Sequence, residues 1–229
     1  MPYKLIPHLA RGLGVLLLFA AAQGAALAQT DQQALVDDAD RTLSNLLRDP
    51  NMSWLQYNFS RAKAVMIAPV VVKAGFIFGG SGGRAITLAR DPQTGKWSGP
   101  AFYTLATASF GFQAGVAVSE VVTLVMTERG LNSLLSPSAK LGGDASVAAG
   151  PVGAGASSAL LADFISFSRA KGLYGGVNLD GTVVAISNEW NAYYYKDGVL
   201  PPDILIRATV HNTGADKLLD DVARAAAAK

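Results

Sequence analysis

Between residues 64 and 127 the chain carries five runs rich in β-branched and aromatic residues, at 64–69, 75–79, 84–90, 101–112 and 116–127, parted only by short Gly-, Pro- or Asp-Pro-containing turns. Such connections leave no room for the crossover helix that a parallel pair requires, so the runs predict an antiparallel meander. On the N-terminal side, Leu35, Ala39, Leu43, Leu46 and Leu47 recur at three-to-four spacing, which predicts an amphipathic helix over 31–48 ended by Asp49-Pro50. A second short helix is expected over 52–64, carrying Trp54, Leu55 and Phe59. After a helical turn at 133–136, strands are expected at 145–149, 157–168, 173–179 and 182–187. The last two read as a hairpin around Asp180-Gly181, because a type I′ turn needs positive φ at both central positions. Asn188 can cap a short helix through Tyr195, with Gly198 and Pro201-Pro202 beyond its end, and a final helix starts near Thr213 and runs through Leu218, Leu219 and Val222. Helices at the two ends and strands between them give an α+β class, with a mostly antiparallel sheet curled or closed into a barrel-like β core.

Residues 1–28 have the order of a secretory signal peptide. Lys4 and Arg11 precede the apolar run at 12–22, and Ala26-Leu27-Ala28 offers the small-x-small cleavage site. A membrane span needs about 20 apolar residues, roughly twice this run. The expected mature protein is therefore one domain over 29–229, exported to the periplasm or associated with the outer membrane. Without the leader the chain has 17 basic and 17 acidic residues, so its net charge is zero and its basic character belongs to the leader. That removes the electrostatic case for nucleic acid. The absence of Cys excludes disulfides, thiolate metal sites and thiol nucleophiles, and His211 is the one His beyond the leader. No cofactor or metal is expected.

Gly79-Gly80-Ser81-Gly82-Gly83 fits the G-x-S-x-G pattern of a hydrolase nucleophile elbow, and Asp180 or Asp203 followed by His211 supplies the chain order of a triad. A serine hydrolase using Ser81 and His211 is the enzymatic alternative. Against it, the residues after Gly83 read as a strand where the elbow needs a helix. Glu120 shares a strand face with Val118, Val122, Leu124 and Met126, which calls for either a wet strand edge or a counter-charge from Lys140, Arg169 or Lys73. Asp163 poses the same question within 157–168. The uncharged stretch 145–162 is long enough for a span, but its Gly, Ser and Pro content favours packed strands and a turn.

Five further segments occur in a fixed order: Lys73-Ala-Gly75 with the following FGGSGGR, Trp97-Ser-Gly-Pro100, Ser109-Phe-Gly-Phe-Gln113-Ala-Gly115, Lys140-Leu-Gly-Gly-Asp144 continuing to Gly153, and Tyr174-Gly-Gly-Val-Asn-Leu-Asp-Gly181. Together they resemble the SYLF domain family, also known as the yeast actin-binding, lipid-associated domain, over about residues 35–200. The resemblance implies a non-catalytic lipid-binding module that recognises phospholipid headgroups or a membrane surface. By the same resemblance, Lys73, Arg84 and Lys140 would contact headgroups, with Glu120 and Asp144 as polar partners. Actin, a partner of yeast relatives, does not occur in the compartment that a bacterial leader reaches. A protein-binding envelope component with an unidentified partner is the third reading.

Overall fold

The structure, a computed structural model, describes residues 31–75, 78–110, 115–153, 161–170, 173–176 and 179–228. The expected leader and part of the 157–168 run lie outside the described residues. The first helix, α1, runs over 31–47, and a short helix α2 (Ser53–Asn58) follows, flanked by 3-10 turns. Then come β1 (Ala64–Gly75), β2 (Phe78–Arg90), β3 (Trp97–Phe110) and β4 (Gly115–Val125). Helix α3 (Glu128–Leu134) leads to β5 (Ser138–Lys140), β6 (Val147–Ala149), β7 (Phe164–Ala170), β8 (Leu173–Gly176) and β9 (Val183–Ile186). Helix α4 (Asn188–Tyr194), a π-helical turn (Pro202–Ile206) and α5 (Asp216–Ala227) close the described chain.

All nine strands join one sheet in the order β5-β9-β3-β2-β1-β4-β7-β6, with β8 also pairing β7. Every pairing is antiparallel except β6 with β7. The outer edge of β7 is shared: β6 takes 164–166 and β8 takes 167–170. Because β5 and β6 sit at opposite ends of this path yet are joined by residues 141–146 alone, the sheet has to curl. Seven Cα steps reach at most about 25 Å, whereas eight strands laid flat would hold the outer two about 33 Å apart.

The sheet is buried on both faces over half its length. On one face Val65, Ile67, Ile86, Leu88, Phe102, Val122, Leu124 and Phe167 pack under Leu43, Leu46 and Val36 of α1, Leu55 of α2, and Leu218 and Val222 of α5. On the other, Met66, Ala85, Tyr103, Val121 and Phe164 meet Leu131 and Leu134 of α3 and Ile204 and Leu205 of the π-helical turn. Asn191 of α4 is fully buried and bonds both backbone groups of Phe102, accepting from its N–H at 2.9 Å and donating to its carbonyl at 3.3 Å. It satisfies the edge of β3 just below the point where β9 pairing ends.

The expected meander does not form: β1, β2 and β3 pair in sequence order, but β4 pairs β1 and not β3, so these strands run in the Greek-key order β3-β2-β1-β4. Three further expectations are corrected. No strand spans 75–79: β1 runs unbroken from Ala64 to Gly75, with a bulge beside Pro69, where the register shifts by one residue against both β2 and β4, and Phe78 and Gly79 open β2. Proline cannot donate to the ladder, and a bulge is where a strand tolerates it. Second, β8 and β9 form no hairpin, since β8 pairs β7 while β9 pairs β3 and β5. Among the described residues Ala208 is the one non-glycine with positive φ, so Gly181 (φ 78) but not Asp180 adopts the left-handed region, and the type I′ turn does not form. Instead Gly181 donates to the Leu141 carbonyl and Leu141 to the Thr182 carbonyl, docking this turn on the 141–145 turn. Third, the helix expected at 133–136 is a longer one at 128–134, capped by Thr127 through a bond from the Gly130 N–H.

Candidate functional site: an exposed apolar sheet face

The bulge at Pro69 decides which way the outer half of β1 faces. Before it, odd-numbered residues of β1 point to the α1/α5 side; after it, Val70, Val72 and Ala74 do, and Val71 packs toward α3. The helices do not reach this far. Beyond the bulge β1 turns from fully buried to largely exposed. The register then lines up Val118, Val72, Gly82, Ala106 and Val183 across five neighbouring strands on one face, with Val116, Ala74, Gly80 and Ala108 forming the next row outward. Val116 is 69 % exposed, Val70 50 %, Val118 47 %, Val72 42 % and Val183 38 %. A contiguous apolar face of this kind on one side of a sheet marks an interaction surface, unlike scattered single apolar residues.

Cations border this face. Arg84 lies one row below, opposite Val70 and Thr104, and its guanidinium stacks 3.8 Å from the Trp190 ring centroid, so the stem is held against α4 while the side chain stays exposed. Glu120 answers the question raised by its apolar neighbours: it pairs with Arg169 across the β4/β7 ladder at 2.5 Å, on the same face as Arg84. Lys140 is exposed and sits opposite Val183 in the β5/β9 pair, at the level of the valine row. Lys73 is placed differently from the others. It pairs with Ser81 and Ala117, which puts it on the opposite face of the sheet from Arg84 and Lys140, so the three do not form one cluster. Asp144 caps its own turn, accepting the Lys140 N–H at 2.7 Å beside Gly142 (φ 83), and does not face the strand surface.

The glycine-rich segment has a structural task. A Cβ on Gly83 would lie 2.3 Å from the Val70 carbonyl oxygen, and one on Gly80 would lie 2.9 Å from that of Thr107. Glycine lets the backbones approach closely, at the bulge for Gly83 and across the β2/β3 ladder for Gly80. Gly83→Ala is expected to lower unfolding free energy by about 2–4 kcal/mol, read as a reduced urea midpoint at unchanged slope. Ser81 lies in mid-strand between Lys73 and Thr107, not on a strand-to-helix turn, so the elbow is not formed. His211 pairs with Asp216 at 2.9 Å, and Asp203 accepts from Arg207 and from the Leu200 N–H, so neither acid-base partner is arranged around Ser81. Among the described residues no cluster of His, Cys, Asp or Glu could hold a metal ion, and no helix is long and apolar enough to cross a membrane.

Asp163, flagged from sequence, is a structural centre. It is 3 % exposed and accepts bonds from the Thr127 hydroxyl, from Arg129 (Nε at 3.0 Å) and from both the N–H and the hydroxyl of Ser146 at 2.7 Å. Burial pushes its carboxyl up, but the bonds from Arg129, Thr127 and Ser146 outweigh this and hold it well below the usual carboxylate range.

Comparison with known proteins agrees with the motif order. The family described as "Ysc84: Las17-binding protein actin regulator" matches residues 106–225. "Protein YSC84" of Saccharomyces cerevisiae is 33% identical over 170 residues, covering 71% of this chain and 36% of that protein. "LAS seventeen-binding protein 3" of the same species is 33% identical over 152 residues, covering 63% and 33%. The human "SH3 domain-containing YSC84-like protein 1" is 31% identical over 166 residues, covering 70% and 48%. The chain thus spans about a third to a half of the length of these relatives, one of which is named as a binding protein. No solved structure matches the chain. With more than half of the sequence covered by the family, and with its glycine and lysine motifs in order, the chain belongs to the Ysc84, or SYLF, family.

Proposed function

We propose that this protein is a non-catalytic, phospholipid-binding member of the SYLF family in the bacterial cell envelope, exported by its N-terminal leader and held peripherally at a membrane surface. The observation that carries this reading is the exposed valine face beyond the bulge, bordered by Arg84 and Lys140. Apolar side chains at the level of the acyl boundary with cations beside them at headgroup level are the arrangement an anionic bilayer favours. The family description points to Las17 and actin, which belong to a compartment that an exported protein does not reach. A protein partner in the envelope is the competing occupant of the same face.

Sedimentation of the mature protein with vesicles of phosphatidylglycerol and phosphatidylethanolamine tests the proposal. Binding is expected to weaken as salt rises, by about 1 kcal/mol for each cation screened, and to persist in part because the apolar contact is insensitive to salt. Absence of sedimentation at every ionic strength overturns the proposal and favours the protein partner.

A further inference from the structure

At the opposite end of the sheet from the valine face, a cleft of about 630 Å³ opens between the start of β1, the β2–β3 turn, α3 and the π-helical turn. That is within the size range of small-molecule sites, roughly 300–1,000 Å³. Its apolar side is formed by Leu131, Leu135, Leu205 and Ile206; its polar side includes Arg61, Lys63 and Arg90. Ile206 is 48 % exposed, an apolar surface left open at the lip.

The charges at this cleft do not cancel evenly. Lys63 is matched by Glu128 at 2.7 Å. Asp91 turns its carboxylate into its own turn, accepting the N–H groups of Gln93 at 2.8 Å and Thr94 at 2.7 Å. Arg90 and Arg61 are left with neutral partners: Arg90 donates to the Ser60 carbonyl at 2.8 Å and Arg61 to the Asn58 side-chain oxygen at 3.0 Å. Among the described residues no carboxylate lies within ion-pair reach of either guanidinium. Arg90 is half-buried, and its Nη2 and Nε sit 3.5 and 3.8 Å from the position a Cβ would take on Gly95, against the turn that walls the cleft. A half-buried guanidinium with donors to spare, beside an apolar wall on which Ile206 is exposed and Leu135 partly so, suits an anion that carries an apolar group.

We propose that this cleft binds a small amphipathic anion, a carboxylate or phosphate monoester on an apolar chain, with Arg90 and Arg61 taking the anionic head and Leu131, Leu135, Leu205 and Ile206 the apolar part. The site is separate from the valine face and does not depend on it. Calorimetric titration of the mature protein with dodecyl phosphate below its micelle concentration, and with inorganic phosphate, tests it. Dodecyl phosphate should bind at least ten-fold more tightly than inorganic phosphate. Arg90→Gln and Arg61→Gln should each weaken it by ten-fold or more, and Leu135→Trp, which fills the apolar side, by at least as much. Arg61 is exposed, so its variant keeps the test valid if Arg90→Gln disturbs folding through the Ser60 bond. Competition with phosphatidylglycerol vesicles separates the sources of the head group: displacement of dodecyl phosphate assigns the anion to a bilayer lipid, and no displacement to a soluble amphiphile. Equal affinity for inorganic phosphate, or dodecyl phosphate binding that survives Arg61→Gln and Leu135→Trp, overturns the proposal.

Discussion

Asp163→Ala is expected to lower unfolding free energy by about 2–4 kcal/mol, and the melting temperature by roughly 5–15 °C for a domain of this size. The carboxylate joins three segments distant in sequence: the cap of α3 through Thr127 and Arg129, the approach to β6 through Ser146, and the start of β7. Removing it leaves the Ser146 N–H and the Thr127 hydroxyl without their acceptor in a partly buried setting, which is more costly than losing an exposed pair. The Arg129 share is small, because its side chain is 66 % exposed and water takes over the guanidinium. The same network predicts the acid limb of stability. The folded carboxyl is held below its unfolded value, so its contribution is fully present above the unfolded pKa of about 3.9 and is lost as pH falls below that toward the folded value. Wild type should lose stability steeply below about pH 4, whereas Asp163→Asn should start lower and change less across that window. Denaturant midpoints measured between pH 3 and 7 for both proteins check this. Equal pH slopes in the two would show that other carboxylates govern acid unfolding.

How much of this was legible in the sequence depended on whether the deciding interaction was local. The amphipathic spacing of Leu35, Leu43 and Leu46 reflects a helix lying on one apolar surface, and α1 is there with Leu43 and Leu46 fully buried. The antiparallel character of 64–127 was legible, since turns too short for crossovers exclude parallel pairs, and β1, β2 and β3 do pair in sequence order; the return of β4 to pair with β1 and not β3 was not legible. What escaped was non-local. Asp180-Gly181 carries the composition of a hairpin turn, yet β8 and β9 belong to opposite edges of a curled sheet, and no local pattern encodes that closure. Pro69 did signal an interruption, but its consequence was a change of face and not the end of a strand. The bulge is also why the residues expected at headgroups do not share one face. Counting alternation without the bulge mis-assigns every side chain of the outer half of β1, and Lys73 goes with Val71 to the far side. Glu120 carried a readable signal, an acid among apolar neighbours, and Arg169 was among the counter-charges it pointed to. Asn191 and the Arg61/Arg90 pair carried none, because a polar residue within a short helix and basic residues at strand ends occur on most surfaces.

The double substitution Val72→Asp with Val118→Asp is expected to reduce partitioning into phosphatidylglycerol vesicles by about a thousand-fold. These two residues are directly paired across the β1/β4 ladder at the β4 end of the exposed row. Each valine, about half exposed in the protein, would give up roughly 1 kcal/mol of apolar burial on a membrane. Each new carboxylate adds about 1 kcal/mol of repulsion from an anionic surface. The sum, about 4 kcal/mol, corresponds to roughly three decades in the partition constant. Folding should be little affected, because both side chains lie beyond the helices that cover the core and neither belongs to a buried cluster. Tyr57→Asp serves as the control: Tyr57 is 74 % exposed on α2, far along the chain from the valine row and at the other end of β1, so its charge should leave partitioning within about two-fold. Retained vesicle binding by the folded valine variant would separate membrane association from this face. Loss confined to the valine variant would instead tie it to the surface that the Pro69 bulge turns outward, and so make the position of one proline the feature that gives the sheet its membrane-facing side.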